Sequence, residues 1–493
     1  MTAPERFNFL GEDRGLDQGG WDAAATDKLW RYNLHYFADL TAVDAKARAA
    51  WHQALLMRWV RENPPGVGTG WEPFPTSLRI VNWIKYALAG NELPDECVQS
   101  LAVQTRWLSR RLERHLLGNH LFANAKALFF AGTWFGGAEA DGWLALAASI
   151  LRDEVPEQIL LDGGHFERST MYHALAVEDV LDLCNVAGVC DTGAPAVAEV
   201  KRACRDRIPG MRHWLTTMTH PDGEIAFFND AAVGIAPAPG ALETYARRLG
   251  LPAAAGPAIG LTQLASSGYV RIANRSAVAL VDVAPVGPDY LPGHAHADTL
   301  SFELSLFGHR VIVNSGTSRY GVSEERLRQR GTAAHNTVMI DGADSSEVWS
   351  GFRVGHRARP LDVRISDVPP AVEGAHDGYC RLPGAPVHRR RWTLEEDSLS
   401  IEDRITGEFG RAESRLHLHP DIEVPDISAV NDIAVRLRLK GGRLIRVLVD
   451  GGTLRVEPAT WHPRFGQNLP TSCLVTELTG AVLRTRIDWS EAS

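Results

Sequence analysis

Four short stretches gather the side chains that can move protons or hold charge. The first is Gly118-Asn119-His120, at a joint between two helical patterns. An amide and an imidazole there can aim donors into a cavity. The same three residues can equally be a helix stop and cap, with the amide serving local backbone groups. The second is LLDGGHFERSTMYHALAVEDV (160–180), where Asp162-Gly163-Gly164 makes a turn and His165, Glu167, Tyr172 and His173 crowd a helix entry. Tyr172 can point its phenol into a cleft, or Ser169 or Thr170 caps the helix and Tyr172 packs. The third is Gly293-His294-Ala295-His296-Ala297-Asp298, before the strand pattern TLSFELSLF. Extended backbone there puts both imidazoles on one face, because side chains repeat every two residues. The bland alternative is two exposed loop histidines. The fourth is Thr332-Ala333-Ala334-His335-Asn336-Thr337, leading into VMIDG. His335 can complete a site with His296, and imidazole-plus-oxygen ligands suit zinc; alone it reads as a hydrogen-bonded structural residue.

Charge and flat faces near these stretches suggest an anionic, ring-shaped ligand. EERLRQRG (324–331) and FRVGHRARP (352–360) supply Arg326, Arg328, Arg330, Arg353, Arg357 and Arg359. Arginine forks pair well with carboxylate and sulfate, and many can also be solvated surface charges. Trp30, Tyr32, His35, Tyr36 and Trp71 can line a helical groove or pack a core. Arg353 and Trp349 are the first choices for substrate contact.

The elements that must position these residues change character along the chain. VDAKARAAWHQALLMRWVREN carries Trp51, Leu55, Leu56 and Trp59 at helical spacing and ends at Pro64-Pro65. TSLRIVNWIKYALAGN begins at a capping Thr76 or Ser77 and stops at Gly90. CVQSLAVQTRWLSRRLERHLLGN places Leu108, Leu112 and Leu116 on one stripe and stops at Gly118. Further helical patterns fall near 120–135, 141–154, 170–188, 195–218 and 240–250, with no clear strand before about residue 265. Short connections between sequential helices imply antiparallel helical hairpins, in a bundle or a closed ring. An Ala/Pro/Gly-rich segment at 236–262 then separates this half from one of period 2. There Lys440-Gly441-Gly442 reads as a hairpin turn between alternating runs. The second half is expected to be antiparallel β, in stacked sheets.

Composition bounds the alternatives. The chain has 493 residues, enough for two or three domains, with 45% hydrophobic and 23% charged residues. Net charge is −9, from 51 basic and 60 acidic residues; that opposes a general nucleic-acid binder but not a local basic patch. Cys97, Cys184, Cys190, Cys204, Cys380 and Cys473 form no CxxC pair and read as reduced, mostly buried thiols. No apolar run reaches the roughly 18 residues of a membrane span. The start, MTAPERFNFLGEDRG, lacks the pattern of a secretory signal, so a cytoplasmic location is expected, or a periplasmic one if a leader was removed.

Taken together, these motifs resemble the heparinase II/III-like polysaccharide lyases, a group that includes oligo-alginate lyases. The resemblance covers nearly the whole chain and rests on Asn119-His120, the Asp-Gly-Gly…Glu…Tyr stretch at 162–172, His294-x-His296-x-Asp298, VIVNSGTSRY (311–320) and AAHNTVMIDG. It implies an N-terminal (α/α) toroid of helical hairpins (1–255) and a C-terminal antiparallel β-sandwich (256–493). It implies that Asn119 and His120 neutralise a uronate carboxylate, that Tyr172 is the general acid and in some elimination geometries also the base, and that His294 is the second proton-transfer residue. Trp71, Glu167, Trp349 and Arg353 are expected to touch substrate. His296, Asn314 and His335 would hold a structural zinc, with no cofactor for catalysis. Asn314 stands where the family usually carries Asp, so a metal-free hydrogen-bonded cluster is the alternative. The expected partner is an anionic poly- or oligosaccharide, with the chain a monomer or homodimer.

Elimination on a uronate removes the proton at C5 and expels the oxygen at C4. It needs preplaced donors at the carboxylate, a base at C5 and an acid at the bridging oxygen. A phenol ordinarily titrates near 10, and nearby cations would bring it toward phenolate. Two rivals remain. A glycoside hydrolase would need two carboxylates about 5–10 Å apart, drawn from Glu167 with Asp222 or Glu224. A non-catalytic glycan-binding or assembly protein would keep the cleft and lose turnover.

Overall fold

A computed structural model describes residues 1–189, 193–424 and 433–490; Cys190 falls outside them. By its contacts the chain forms two compact units. One is Met1–Gln158 with Glu178–Ile208, and the other is Ile159–Val177 with Pro209–Ser493.

The first unit opens with a hairpin, β1 (Arg6–Phe9) and β2 (Glu12–Gly15), paired antiparallel. The helices follow as α1 (Lys28–Tyr36), α2 (Ala49–Glu62), α3 (Pro73–Leu88), α4 (Asp95–Ser109), α5 (Gly118–Trp134) and α6 (Ala138–Gln158). Then come α7 (Thr170–Val189) and α8 (Pro195–Thr217), whose 178–189 and 195–208 portions belong here. Sequence periodicity misses the hairpin and α1. The hairpin strands, four residues each, are too short to show a stripe; α1 is marked by its cap, Asp27 accepting from Leu29 N–H at 2.8 Å. Helix α5, GNHLFANAKALFFAGTW, is buried along nearly its whole length and packs against α3 and α6. A helix apolar on every side belongs at the centre of its domain. Its Lys126 is buried and bonds Asp179 at 2.7 Å. Trp59, Trp71, Trp83 and Trp107 interlock, with ring centroids 5.7–5.8 Å apart.

Helix α4 ends at Ser109, nine residues short of the Gly118 stop expected from the leucine stripe. The reason is Glu113, buried among hydrogen bonds. Its backbone N–H donates to Asn124 Oδ1 at 2.8 Å, and its carboxylate accepts from Asn124 Nδ2 at 3.0 Å. Continuing the helix would carry this residue away from α5.

The second unit contains α9 (Pro239–Arg248) and then strands β3 (Gly260–Leu264), β4 (Tyr269–Ala273), β5 (Ala277–Asp282), β6 (Phe302–Leu306) and β7 (His309–Ile312), an antiparallel five-stranded sheet in that order. After α10 (Glu324–Arg330) come β8 (Val338–Ile340), the short pair β9 (Val348–Trp349) and β10 (Arg353–Val354), β11 (Pro360–Asp367), β12 (Pro370–His376), β13 (Val387–Leu394) and β14 (Ser398–Thr406). The chain ends through β15 (Ala412–His417), β16 (Ala434–Arg438), β17 (Leu444–Asp450), β18 (Gly452–Trp461), β19 (Leu469–Leu478) and β20 (Val482–Asp488). A seven-stranded sheet runs β11-β12-β13-β14-β20-β17-β16, and a four-stranded one β18-β19-β15-β8. Every pairing within these sheets is antiparallel, and Arg438 faces Leu444 across the Lys440–Gly442 turn.

One core draws on all three sheets, with Phe302, Leu304, Val338, Trp392, Ile401 and Val447 among its members. A second cluster, around Trp214, Phe228 and Tyr269, covers the other face of the five-stranded sheet. Strands β4, β5 and β6 are therefore buried on both faces, along their whole length, with Arg271, Glu303 and Ser305 among the buried side chains. Strand β13, covered on one face, alternates. The fold is an N-terminal helical domain followed by a C-terminal antiparallel sheet domain.

Candidate active site

The second unit brings Tyr172, His294, His296 and Asp230 together, and Asp230 is the residue that organises them. His294 Nδ1 lies 2.8 Å from one carboxylate oxygen of Asp230, and His296 Nε2 lies 2.8 Å from the other. Backbone bonds set this up. Asp230 N–H donates to His294 O at 3.0 Å, and His296 N–H donates to Asn229 Oδ1 at 3.1 Å. Asn229 holds a left-handed conformation (φ 57°), which asparagine tolerates better than most residues. His294 and His296 sit in a loop rather than in strand β6, yet their alternate positions do face one partner.

Asp230 is fully buried and its charge is answered from inside. Arg326 of α10 forks onto both carboxylate oxygens, with Nη2 2.7 Å from Oδ2, and Thr317 Oγ1 donates at 3.2 Å. Burial alone would raise the pKa of this carboxyl. The guanidinium and the two imidazole bonds instead hold it well below the usual carboxylate range. Asp230 is thus an anion that only accepts, so the His294 nitrogen that faces it, Nδ1, carries a proton, and Nε2 points away from Asp230. Nε2 is 3.9 Å from the buried Glu167 carboxylate, and the His294 side chain keeps 16% exposure.

Tyr172 lies in the first turn of α7. Ser169 caps that helix: its hydroxyl accepts from Tyr172 N–H at 3.1 Å and donates to Asp230 O. The Ser169 cap is therefore present, and it leaves the Tyr172 ring facing His294. The Tyr172 ring lies on the His294 ring, with centroids 4.0 Å apart at 32°, and its hydroxyl is 2.9 Å from that of Tyr320. Burial, then Tyr320, Glu167 and Asp230, push the phenol well above its ordinary pKa. This corrects the expectation of nearby cations favouring phenolate. The one guanidinium in this cluster, Arg326, is spent on Asp230. Tyr320 itself stands 5.2 Å from Phe352 and 4.9 Å from Phe465, and burial raises it too.

His296, Asn314 and His335 make a chain, not a cage. His296 Nδ1 meets His335 Nε2 at 3.2 Å, while Asn314 Oδ1 lies 3.3 Å from the opposite nitrogen of His335. A tetrahedral zinc requires its donor atoms around one point. With Asn314 on the far side of the ring, these three residues do not fit a shared metal. Burial lowers His296 to about 4 and His335 to about 3, keeping both neutral.

The remaining predicted contacts divide. Trp349 and Arg353 pair across β9–β10 and are exposed. Trp71 is a correction: it is 3% exposed, donates its indole N–H to Asn63 O at 3.2 Å and is packed by Trp59 and Trp107, so its faces are not open to a sugar. Arg326 and Arg330 are also corrected. They are buried and spent on Asp230 and on Ala295 O rather than held out to ligand. Asp222 bonds Arg310 at 2.6 Å, which commits one carboxylate of the hydrolase alternative.

In the first unit, Asn119 and His120 occupy the first turn of α5. Leu117 just before them has φ 58°, a conformation leucine rarely adopts. His120 Nδ1 is 3.0 Å from Glu113 Oε1, and its ring lies 4.4 Å from that of Phe74. Glu113 thus fixes one ring nitrogen, and the side chain stays 31% exposed.

Sequence reading missed Asp230, Tyr320 and Glu113. Asp230 ends the run AFFND, and its available signal was a His-x-His pair lacking an anion to orient it. Tyr320 closes VIVNSGTSRY, which was read as a motif without a role for its last residue.

Two family profiles match in succession: Heparinase II/III N-terminus over residues 6–238, and Heparinase II/III-like, C-terminal over residues 257–490. The chain belongs to the heparinase II/III-like family. Within reach of that family, it is 26% identical over 447 residues to FtsZ-localized protein C of Caulobacter vibrioides, covering 83% of this chain and 72% of that one. It is 24% identical over 272 residues to a heparin-sulfate lyase of Bacteroides stercoris, covering 51% of this chain and 40% of the lyase. The chain thus matches less than half the length of that lyase. Among solved structures, a heparinase III superposes with TM-score 0.77 at 18% identity, covering 96% of this chain and 80% of the other.

Proposed function

We propose that this member of the heparinase II/III-like family is a polysaccharide lyase that cleaves a uronic-acid-containing glycan by β-elimination. The observation that carries the reading is the stacked Tyr172–His294 pair hung on Asp230. His294, its Nδ1–H tied to an ionised carboxylate, is the base that takes the C5 proton on Nε2. Tyr172, held protonated, is the acid that gives its proton to the departing C4 oxygen. The pair supplies both transfers without water entering the bond that breaks. Asp230 positions His294 and fixes its tautomer. Asn119 and His120 are the donors we assign to the substrate carboxylate, on their residue types and on the helix start they share. Trp349 and Arg353 offer an exposed indole and guanidinium for a sugar face and its acid group.

The test is incubation of the full chain with uronate polymers, beginning with heparan-type glycosaminoglycans and including alginate. The new conjugated double bond is followed by its ultraviolet absorbance. Product from the wild type and its loss in Tyr172→Phe and His294→Ala support the reading. Reducing ends without ultraviolet absorbance would mean hydrolysis. A second reading, an assembly protein that binds glycan without turning it over, is kept because the chain is also similar to a protein named for its localisation to FtsZ. Saturable binding with no product of either kind would select it.

A further inference from the structure

The hairpin β16–β17 concentrates positive charge in a chain whose overall balance is −9. From Ala434 to Asp450 it carries Arg436, Arg438, Lys440, Arg443 and Arg446 against one acid, Asp450. Val435, Leu437, Ile445 and Val447 enter the core. Arg436, Arg438 and Arg446 therefore stand on the outer face of the seven-stranded sheet. Arg443 turns the other way and lies over the Phe307 ring at 4.1 Å. Elsewhere on the outer face charge cancels in register. Arg364, Glu373, Arg391, Glu402, Arg484 and Asp450 are successive neighbours across six strands and alternate in sign. Arg484 meets Glu402 at 3.0 Å and Asp450 at 3.3 Å. At β16 the alternation breaks, because Arg436 sits directly opposite Arg446. Like charges so placed repel. Arg446 has Asp488 as its other neighbour, at 3.7 Å, and Asp488 is shared with Arg486, also at 3.7 Å. Arg436 is exposed and has no ion-pair partner among the described residues. A depression in the face is lined by Arg436, Leu444, Ile445, Arg446 and Asp488. Charge on an edge strand keeps other sheets from pairing with it, and β16 ends its sheet. That need does not explain a second guanidinium facing Arg436 from β17, one strand further in.

We propose that this corner of the sheet binds an anionic glycan, with a sulfate or carboxylate group seated between Arg436 and Arg446. The anion turns a repelling pair into two attractive contacts, and planar guanidinium forks suit both kinds of oxyanion. Arg438 and Arg486, with side chains 47% and 41% exposed, extend the positive surface to either side of that pair. The three strands together span about 10 Å. The face also selects its partner. No aromatic side chain stands among the outward residues of β16, β17 and β20, so nucleic-acid bases have no ring to stack on. Asp488 and Asp450 interrupt the positive surface, which disfavours a continuous anionic plane such as a bilayer and suits a linear chain whose charges are spaced. Among the described residues, none of these arginines bonds Tyr172, His294 or Asp230. The surface therefore shares with the proposed reaction only the class of ligand.

The experiment modifies the arginines of the full-length protein with phenylglyoxal, with and without saturating heparin hexasaccharide, and maps the modified peptides by mass spectrometry. The hexasaccharide is expected to slow modification of Arg436 and Arg446 by about fivefold or more, while Arg364 and Arg391 of the alternating row keep their rates. Unchanged rates at Arg436 and Arg446, or equal protection of all four, would overturn the proposal. Parallel arms use single-stranded DNA and phosphatidylserine vesicles; protection of Arg436 and Arg446 by either of these and not by the hexasaccharide would overturn it as well. A variant carrying Arg436→Ser and Arg446→Ser is expected to bind the labelled hexasaccharide at this face about tenfold more weakly. Because the two side chains repel one another, its thermal midpoint should be no lower than that of the wild type. The footprint is read on the wild-type chain and needs no turnover. A protein inactive toward every uronate polymer would defeat the proposed function and leave this test standing.

Discussion

Each oxygen of the Asp230 carboxylate holds one imidazole, and that division of labour leads to specific expectations for single side chains. Tyr172→Phe removes one hydroxyl and should lower kcat by about 10²–10⁴-fold, the usual worth of a positioned proton donor. His294→Ala should fall in the same range, with the circular-dichroism spectrum of the folded chain retained in both. Asp230→Asn should do more. It removes the anion that fixes the His294 tautomer and leaves Arg326 buried without its counter-charge, a loss of about 3–5 kcal/mol in stability; urea titration reads this beside the rate. The raised Tyr172 phenol sets a pH expectation as well. An acid must be protonated to act, so a pKa moved upward extends its working range upward. The alkaline limb of kcat should therefore not fall through phenol ionisation below about pH 10, and a fall near pH 8 that Tyr172→Phe abolishes would contradict this. Tyr172 and His294 were legible because their residue types and local spacing announce chemistry. Asp230 was not, since its partners lie 64 and 96 residues further along and only folding brings them together.

Between residue and domain, the loop from β7 to α10 carries Thr317 and Tyr320 into the site and then delivers Arg326. Gly316 permits its path. It has φ 76°, and a β-carbon there would stand 2.3 Å from His462 O. Gly316→Ala should cost at least about 1–3 kcal/mol in backbone strain alone. It should also reduce turnover by displacing Tyr320, whereas an alanine at the open Gly321 would act through its φ only. A thermal melt paired with a rate measurement separates the two. The same scale shows what patterns in sequence can carry. Apolar periodicity located α5, α7 and α8 to within a few residues, because each buries several turns. It overran α4, because the leucine spacing continues past Ser109 while the buried Glu113 needs a different backbone. It was silent on β1 and β2, four residues each and too brief for a period to register, and it passed over the nine-residue α1. Continuous burial along β4–β6 and alternating burial along β13 record two faces covered against one.

For the whole molecule, the largest electrostatic theme is the number of histidines kept neutral by burial. His35, His165 and His335 are lowered to about 3, and His173, His296 and His417 to about 4. In the unfolded chain each takes a proton near 6.5, while in the folded protein each refuses it until the pH is far lower. The unfolded state therefore binds more protons below about pH 6.5, and stability falls as the pH is lowered from there toward 4. At pH 5.5 each such group should remove on the order of 1 kcal/mol. The midpoint of thermal unfolding should drop clearly between pH 7 and 5.5, and a flat profile would sink the expectation. Composition indicates a globular protein of two or three domains. It could not show this acid sensitivity, which comes from where the imidazoles are placed and not from how many there are. Arg326 adds something at this scale too. By cancelling Asp230 within the interior, it lets His294 hang from an anion that the surface never displays. The proposed anionic substrate would then meet that imidazole without repulsion from the carboxylate that steadies it.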